Sequence, residues 1–373
     1  MMSRDFLKVS VLACSLCALA VTPSRGQQAE KHEQTWPAPD EGVYVVHDFR
    51  FQSGETLREV KLHYYTLGKP VKDANGRTTN AVLILHGTGG EGAGFLRPIF
   101  AGVLFGPGQL LDVAKYYVII PDNLGHGKSS KPSDGMHAHF PQYEYADMIA
   151  LQHELVQNRL GVNHLRLILG TSMGCMHSWI WGETYADFMD ALMPLACLPV
   201  QITGRNRIWR KMVIDGIRQD PDWKNGDYTT EPRAALQISA DFLLIATSAP
   251  VHMQEDLPTR EASDNYLDEA MKRIAGQLDA NDFLYAVSAS RNYDPSAKLE
   301  SIQAAVMFIN SADDFVNPPE LGIAEREIKR VKNGKFVLLP ASEQTYGHGT
   351  HTVAAAWESC LKELLERSAK GKS

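Results

Sequence analysis

The sequence predicts a doubly wound α/β domain: a mostly parallel eight-stranded sheet with a helical cap inserted late in the chain. Three observations carry this. Short apolar, β-branched runs alternate with longer segments of helical periodicity. From the third run onward these strand candidates are almost continuously hydrophobic, as strands covered by helices on both faces are. The alternation then stops between about Gln201 and Gln303, where helical patterns dominate.

The elements follow in order. Arg4 and Lys8 precede an apolar run from Val9 to Val21 and then a small, polar stretch, the layout of a secretory signal peptide. Residues 1–26 are assigned to it, with cleavage after Gly26 preferred to cleavage after Ala20. The first part of the core covers 27–200. Its strand candidates begin at Val43, Val60, Ala81, Tyr116, Leu165 and Ala191. A helix over 144–161 places Met148, Leu151, Leu155 and Leu160 at helical spacing and stops at Gly161. The cap occupies 201–303, with helices in "RNRIWRKMVIDGIRQ", "EPRAALQISADFLLIATSAP" and "SDNYLDEAMKRIAGQL". The second part of the core, 304–373, adds strands from Ala304 and Lys335 and two closing helices, "PPELGIAEREIKRVKNG" and "THTVAAAWESCLKELLERSAK".

Bulk properties narrow the class. A chain of 373 residues that is 44% apolar can bury a large core. A net charge of −7 argues against nucleic acid or an anionic membrane surface as partner. Beyond the first residues no apolar run is long enough to span a bilayer, so the mature chain is expected to be periplasmic or secreted and free of the membrane. Cys14 and Cys17 leave with the signal. Cys175, Cys197 and Cys360 are an odd set without metal-ligand spacing, expected to be small buried thiols. Trp209 and Trp223 in the cap are expected to fill its core.

The chemistry concentrates in "LILGTSMGCMHSW". Ser172 stands between a buried strand and a helical pattern, with Gly170 and Gly174 removing side chains that would collide in a sharp strand-to-helix turn. A serine needs a base, and the base needs a group that orients it. With the nucleophile after the fifth strand, the acid belongs after the seventh and the histidine after the eighth. "INSADDFVNPP" offers Asp313 and Asp314; "ASEQTYGHGTHTV" offers His348 and His351. Asp314 is preferred because it precedes Pro318 by four residues. His348 is preferred because it follows a glycine in the loop, whereas His351 falls at the start of the last helix. The oxyanion would be held by the N–H groups of Met173 and of Thr88 in "LHGTGGEG". His86 and His126 read as loop anchors. His137 and His139 form a lone pair without a third ligand, so neither a metal nor another cofactor is called for.

With those residues in place the chain resembles the α/β-hydrolase fold, and more narrowly the homoserine O-acetyltransferase family. "GTSMGCMHSWIW", "IRQDPDWKNGDY", "DDFVNPP" and "YGHG" carry the resemblance. It implies a Ser172, Asp314, His348 triad, acyl transfer as the reaction type, and possible homodimers formed through the cap. The family's arginine six residues before the Asp-Pro pair, which holds an amino-acid carboxylate, is replaced here by Ile214; Arg210 and Arg218 lie nearby. Gly349 stands where the family has Asp after the histidine, and the glycine-rich "HGTGG" loop looks more like that of ordinary hydrolases. The expectation is therefore an exported serine hydrolase acting on a small acyl ester. The alternatives are an O-acyltransferase using acyl-CoA and a non-enzymatic binding protein on the same scaffold.

Overall fold

The computed structural model describes residues 36–370; the expected signal peptide lies outside them. Its strands are β1 (Asp40–Arg50), β2 (Thr56–Leu67), β3 (Ala81–Leu85), β4 (Tyr117–Pro121), β5 (Leu167–Thr171), β6 (Ala191–Leu195), β7 (Ala305–Ser311) and β8 (Gly334–Leu339). They form one sheet in the order β1-β2-β4-β3-β5-β6-β7-β8. Every strand candidate in the sequence is present. β1 and β2 pair antiparallel, as do β2 and β4; all later pairings are parallel. The difference is visible in burial: β3, β4, β5 and β6 are buried at every residue, whereas β1, at the edge, is buried at none.

Helices cover both faces. They are α1 (Ala101–Leu104), α2 (Tyr145–Glu154), α3 (Met173–Thr184), α4 (Gly204–Gln219), α5 (Arg233–Thr247), α6 (Pro250–Asp256), α7 (Arg260–Ala275), α8 (Ala280–Ser288), α9 (Ile323–Glu327) and α10 (Glu358–Lys370). One face packs through Trp179, Trp181 and Phe308, the other through Phe100, Phe105 and Trp357. The two closing helices are shorter than the sequence pattern suggests. α9 ends after five residues, and the segment before α10 is a pair of 3-10 turns. There the Thr350 hydroxyl on the Gly347 carbonyl and the His351 ring on the His348 carbonyl hold the chain in tight turns.

The cysteine expectation is corrected. Cys175, in the first turn of α3, and Cys197, just beyond β6, form a disulfide with their Cα atoms 5.8 Å apart; among the described residues only Cys360 is a buried thiol. β5 and β6 are neighbours, so residues just past their ends meet although 22 positions separate them. A bridge closing a loop of this length is worth about 3 kcal/mol in a chain-entropy account.

α4 to α8 lie between β6 and β7, and α4, α5, α7 and α8 share their own core, with Trp209, Val213, Ile214 and Ile217 on α4 against Leu236 and Leu244 on α5. The Asp-Pro-Asp-Trp segment is a brace inside this cap. Asp220 accepts from the N–H groups of Asp222 and Ala235, at 2.9 Å each. Trp223 Nε1 donates to Asn281 Oδ1 at 2.8 Å, and the Asn281 N–H donates to the Tyr228 hydroxyl at 3.0 Å. Gly226 has φ +95°, and a Cβ there would stand 2.2 Å from that of Ala138, so the brace admits only glycine.

Two cap carboxyls are poor acids. Burial and the neighbouring Asp279 push Glu231 up to about 7, and burial pushes Asp282 up to about 6. Their ordinary values are 4.5 and 3.8, so folding takes up protons between those values and about 7. The stability they contribute is full below the ordinary values and is lost as pH rises through about 6 to 7. The buried His126 and His351, both pushed down to about 3, act in the opposite sense over the lower part of this range, so the carboxyls are read from a difference. The Tm of Glu231→Gln, which keeps an acceptor for the Ala280 N–H, should rise relative to that of the parent from pH 5 to pH 8. Calorimetry on both proteins checks this; a Tm difference that does not change with pH would show that Glu231 does not titrate in this range.

Candidate active site

Four loops meet at the carboxyl ends of β3, β5, β7 and β8, the end of a parallel sheet where ligands bind. Ser172 follows β5 directly and has φ +52°, ψ −107°, a conformation L-residues rarely adopt. Its surroundings leave no alternative. The Ser172 N–H donates to Leu195 O of β6 at 2.9 Å. A Cβ on Gly170 would fall 1.9 Å from Gly174 O, and one on Gly174 would fall 2.1 Å from Leu85 O. Helix α3 thus starts hard against β3, and the serine is turned outward at its head.

Ser172 Oγ lies 2.9 Å from His348 Nε2, and His348 Nδ1 lies 3.1 and 3.0 Å from the two oxygens of Asp314. Asp314 is 2% exposed. Oδ1 accepts from the N–H groups of Val316 (2.7 Å) and Asn317 (3.0 Å), and Oδ2 from Asn317 Nδ2 (3.1 Å). Burial works to raise this carboxyl's pKa, but His348 and the Asn317 donors outweigh it and hold the group below its ordinary value. The carboxylate therefore stays ionised, facing the imidazole.

The neighbours play other parts. Asp313 turns away and holds the histidine loop, accepting from Thr345 Oγ1 and the Gly347 N–H, each at 3.0 Å. His351 is not at the head of α10 but in the same 3-10 turn as His348, buried, with Nδ1 on the His348 carbonyl. Burial and the adjacent His348 push its pKa down to about 3, so it is neutral. His86 Nδ1 meets Gly87 O at 2.8 Å, and the Asn123 N–H donates to its Nε2 at 3.0 Å. His126 Nδ1 meets Leu124 O at 3.0 Å. Both are loop anchors.

Met173 opens α3, where the first N–H groups have no intrahelical acceptor. The "HGTGG" loop crosses above: a Cβ on Gly87 would lie 3.1 Å from that of Ser172, and Thr88 and Gly89 line a cavity with Ser172. Two cavities join at Ser172, His348 and Arg210. One, of about 110 Å³, is lined mainly by apolar groups such as Leu243, Phe283 and Val287; the other, of about 840 Å³, opens towards Thr203, Asn206 and Phe315.

Ile214 is turned into the cap core, where no substrate group reaches it. Arg210, one turn earlier on α4, faces the cavities instead. Trp209 stacks on Phe242 at 4.4 Å while one side lines the smaller cavity, so it serves both core and site. Sequence reasoning missed Asn317, whose side chain ties Asp314 Oδ2 to Ala196 O at 3.0 Å. Its place between the acid and the two prolines was the only available signal. It also missed Tyr145, whose phenol is buried among Thr88, Ser290 and Arg210.

Known proteins resemble this chain in sequence and in fold. Residues 80–349 match the family model described as alpha/beta hydrolase fold. A probable acyltransferase of Methanothermobacter thermautotrophicus is 30% identical over 74% of this chain and 84% of its own. A homoserine O-acetyltransferase of Deferribacter desulfuricans is 29% identical over 86% of this chain and 93% of its own. An acetylester hydrolase structure from Corynebacterium glutamicum superposes with a TM-score of 0.75 at 18% identity, covering 88% of this chain and 96% of that one, a likeness of fold. The chain belongs to the α/β-hydrolase fold family, among its homoserine O-acetyltransferase-like members, which transfer acyl groups or cleave esters.

Proposed function

We propose that the protein is an exported serine hydrolase that cleaves a small carboxylic ester through an acyl-enzyme. The observation that carries this is the unbroken chain from Ser172 Oγ through His348 to Asp314, opening into the two cavities. Ser172 attacks the ester carbonyl while His348 Nε2 takes its proton. The Thr88 and Met173 N–H groups receive the oxyanion, and His348 returns the proton to the departing alcohol. Water, deprotonated by the same imidazole, then releases the acid. Asp314 orients and stabilises the imidazolium throughout.

Ser172→Ala should lower kcat by about 10⁶ without loss of fold, and Asp314→Asn by about 10⁴. His348→Ala should be as damaging as the serine variant. Asp313→Asn and His351→Ala should lose far less, since neither side chain reaches the serine. Steady-state rates with circular dichroism as the folding control decide it; a reversed ranking within either pair would reassign that role.

Two features favour water over a second alcohol as acceptor. Ile214 leaves the family's carboxylate-binding position apolar. The Asp-Pro-Asp-Trp segment, which most suggested acyltransfer, works as a brace in the cap and does not line the serine's cavities. The relatives' names favour transfer. Incubation with acetyl-CoA and homoserine, and separately with short aryl esters, distinguishes the two. Ester hydrolysis without appreciable O-acetylhomoserine is expected, whereas faster transfer than hydrolysis would make the protein an acyltransferase.

Export has independent support in the Cys175–Cys197 bridge, because disulfides persist in oxidising compartments and not in most cytoplasms. Outside the cytoplasm the acyl-CoA pool is out of reach. Protein isolated from its host with thiols trapped at lysis should begin between residues 21 and 27 and show Cys175 and Cys197 unalkylated. An uncleaved chain with three free thiols beyond the signal would place it in the cytoplasm.

A further inference from the structure

The two cavities at Ser172 are built differently. They share Ser172, Arg210, Val316 and His348, so a scissile ester bond lies at their junction. The larger is lined in part by the exposed Gln201, Thr203, Arg205 and Glu320, and is a route to solvent. The smaller is lined by buried or half-buried residues apart from Arg97. Leu243 and Ala246 of α5 and Phe283 and Val287 of α8 make it apolar, and the Thr88 loop borders it and not the larger cavity. Phe283, 3% exposed, is a partition. With Gly89 it also lines a third cavity, of about 350 Å³, where Lys131 and Asp282 stand between core and cap. Helix α8 is pinned to the core. Asp282 accepts from the Ser133 N–H at 2.8 Å and from the Ser133 hydroxyl at 2.6 Å, and the Tyr285 hydroxyl donates to Phe140 O at 2.7 Å. The Phe283 ring is therefore a fixed wall.

Cleavage in two steps separates the halves of an ester. Once the alcohol has left with the proton from His348, the acyl group stays bonded to Ser172 Oγ until a water reaches its carbonyl. The departing alcohol and the incoming water need a path to solvent, whereas an apolar acyl chain gains by staying out of it. We infer that the smaller cavity holds the acyl chain, that the larger takes the alcohol, and that Phe283 sets the acyl length. The natural substrate is then an ester of an unbranched, apolar acid longer than acetate. This rests on the ester-cleavage reading. Volume gives the length. An apolar cavity of about 150 Å³ accommodates the six carbons of benzene. One of about 110 Å³ has room for about four carbons beyond the carbonyl.

The even-numbered 4-nitrophenyl esters from acetate to decanoate test the length. In the full mature protein kcat/KM should rise about fourfold per added methylene until the cavity is full. The maximum should fall at butanoate or hexanoate; one at acetate, or at octanoate and beyond, would overturn the assignment. Phe283→Ala joins the smaller cavity to the third. Its ratio of kcat/KM for octanoate over butanoate should rise about tenfold or more above the parent's, and a rise below about threefold would overturn the partition. Phe283→Leu should move the ratio the same way and serves if the alanine variant does not fold. Val287→Phe fills the cavity and should move the maximum to acetate; a maximum left in place would count against the assignment. The ratio for octyl over butyl acetate should not respond to Phe283→Ala. A response there, with none on the acyl side, would give the smaller cavity to the alcohol. If the parent cleaves none of these esters, the hydrolase reading falls, and alkylboronic acids, which add to an activated serine without turnover, decide the cavity. Butylboronic acid should raise the parent's Tm more than octylboronic acid does, and Phe283→Leu should reverse that order. An unchanged order would refute the role of Phe283.

Discussion

The strained turn at Ser172 is the constraint on which the rest of the site depends. A serine at φ +52° is held against a cost of about 1–3 kcal/mol. It persists because β5 is paired on both sides by β3 and β6, and because α3 begins in contact with Leu85 of β3. Two glycines make this approach possible. The Cys175–Cys197 bridge adds a covalent tie between the first turn of α3 and the segment after β6. The turn thus fixes one end of a hydrogen-bonded line, and the other three loops are built to meet it.

Those loops are held by polar groups that serve the acid and the imidazole together. Asn317 donates to Asp314 and to Ala196 O, so the acid loop is tied to the segment that also carries Cys197. Asp313 binds the loop that presents His348. Each of the paired candidates therefore has work: one member reaches the reacting group and its neighbour positions the loop. This division follows from space, since one side chain only can occupy the line from Ser172.

The cap separates two things that share a helix. One side of α4 buries Val213, Ile214 and Ile217 against α5, and its neighbour Arg210 is turned towards Ser172. The Asp-Pro-Asp-Trp brace fixes how α4 ends and where α8 begins, through Asp220, Trp223 and Asn281. None of its four residues lines the cavities at Ser172. A motif that carries a family resemblance can in this way be a matter of scaffold.

By itself the sequence determined the eight strands, the elbow at Ser172 and the loops in which an acid and a histidine must fall. These are local properties: strands covered on both faces read as apolar runs, and a sharp turn needs glycines at fixed offsets. The choice of Asp314 over Asp313 and of His348 over His351 rested on spacing to a proline and to a glycine, and the structure brings the preferred pair into line with Ser172. The remaining features depended on which strands lie side by side. The disulfide joins residues 22 apart because β5 and β6 are neighbours, and nothing in the spacing of three cysteines announces that. The buried charge of Arg210 arises because α4 turns that side chain inward between Asn206 and Ser290, 80 residues further on. A helical pattern shows which residues share a face. It does not show what that face will meet, and this is decided only when the cap closes over the sheet.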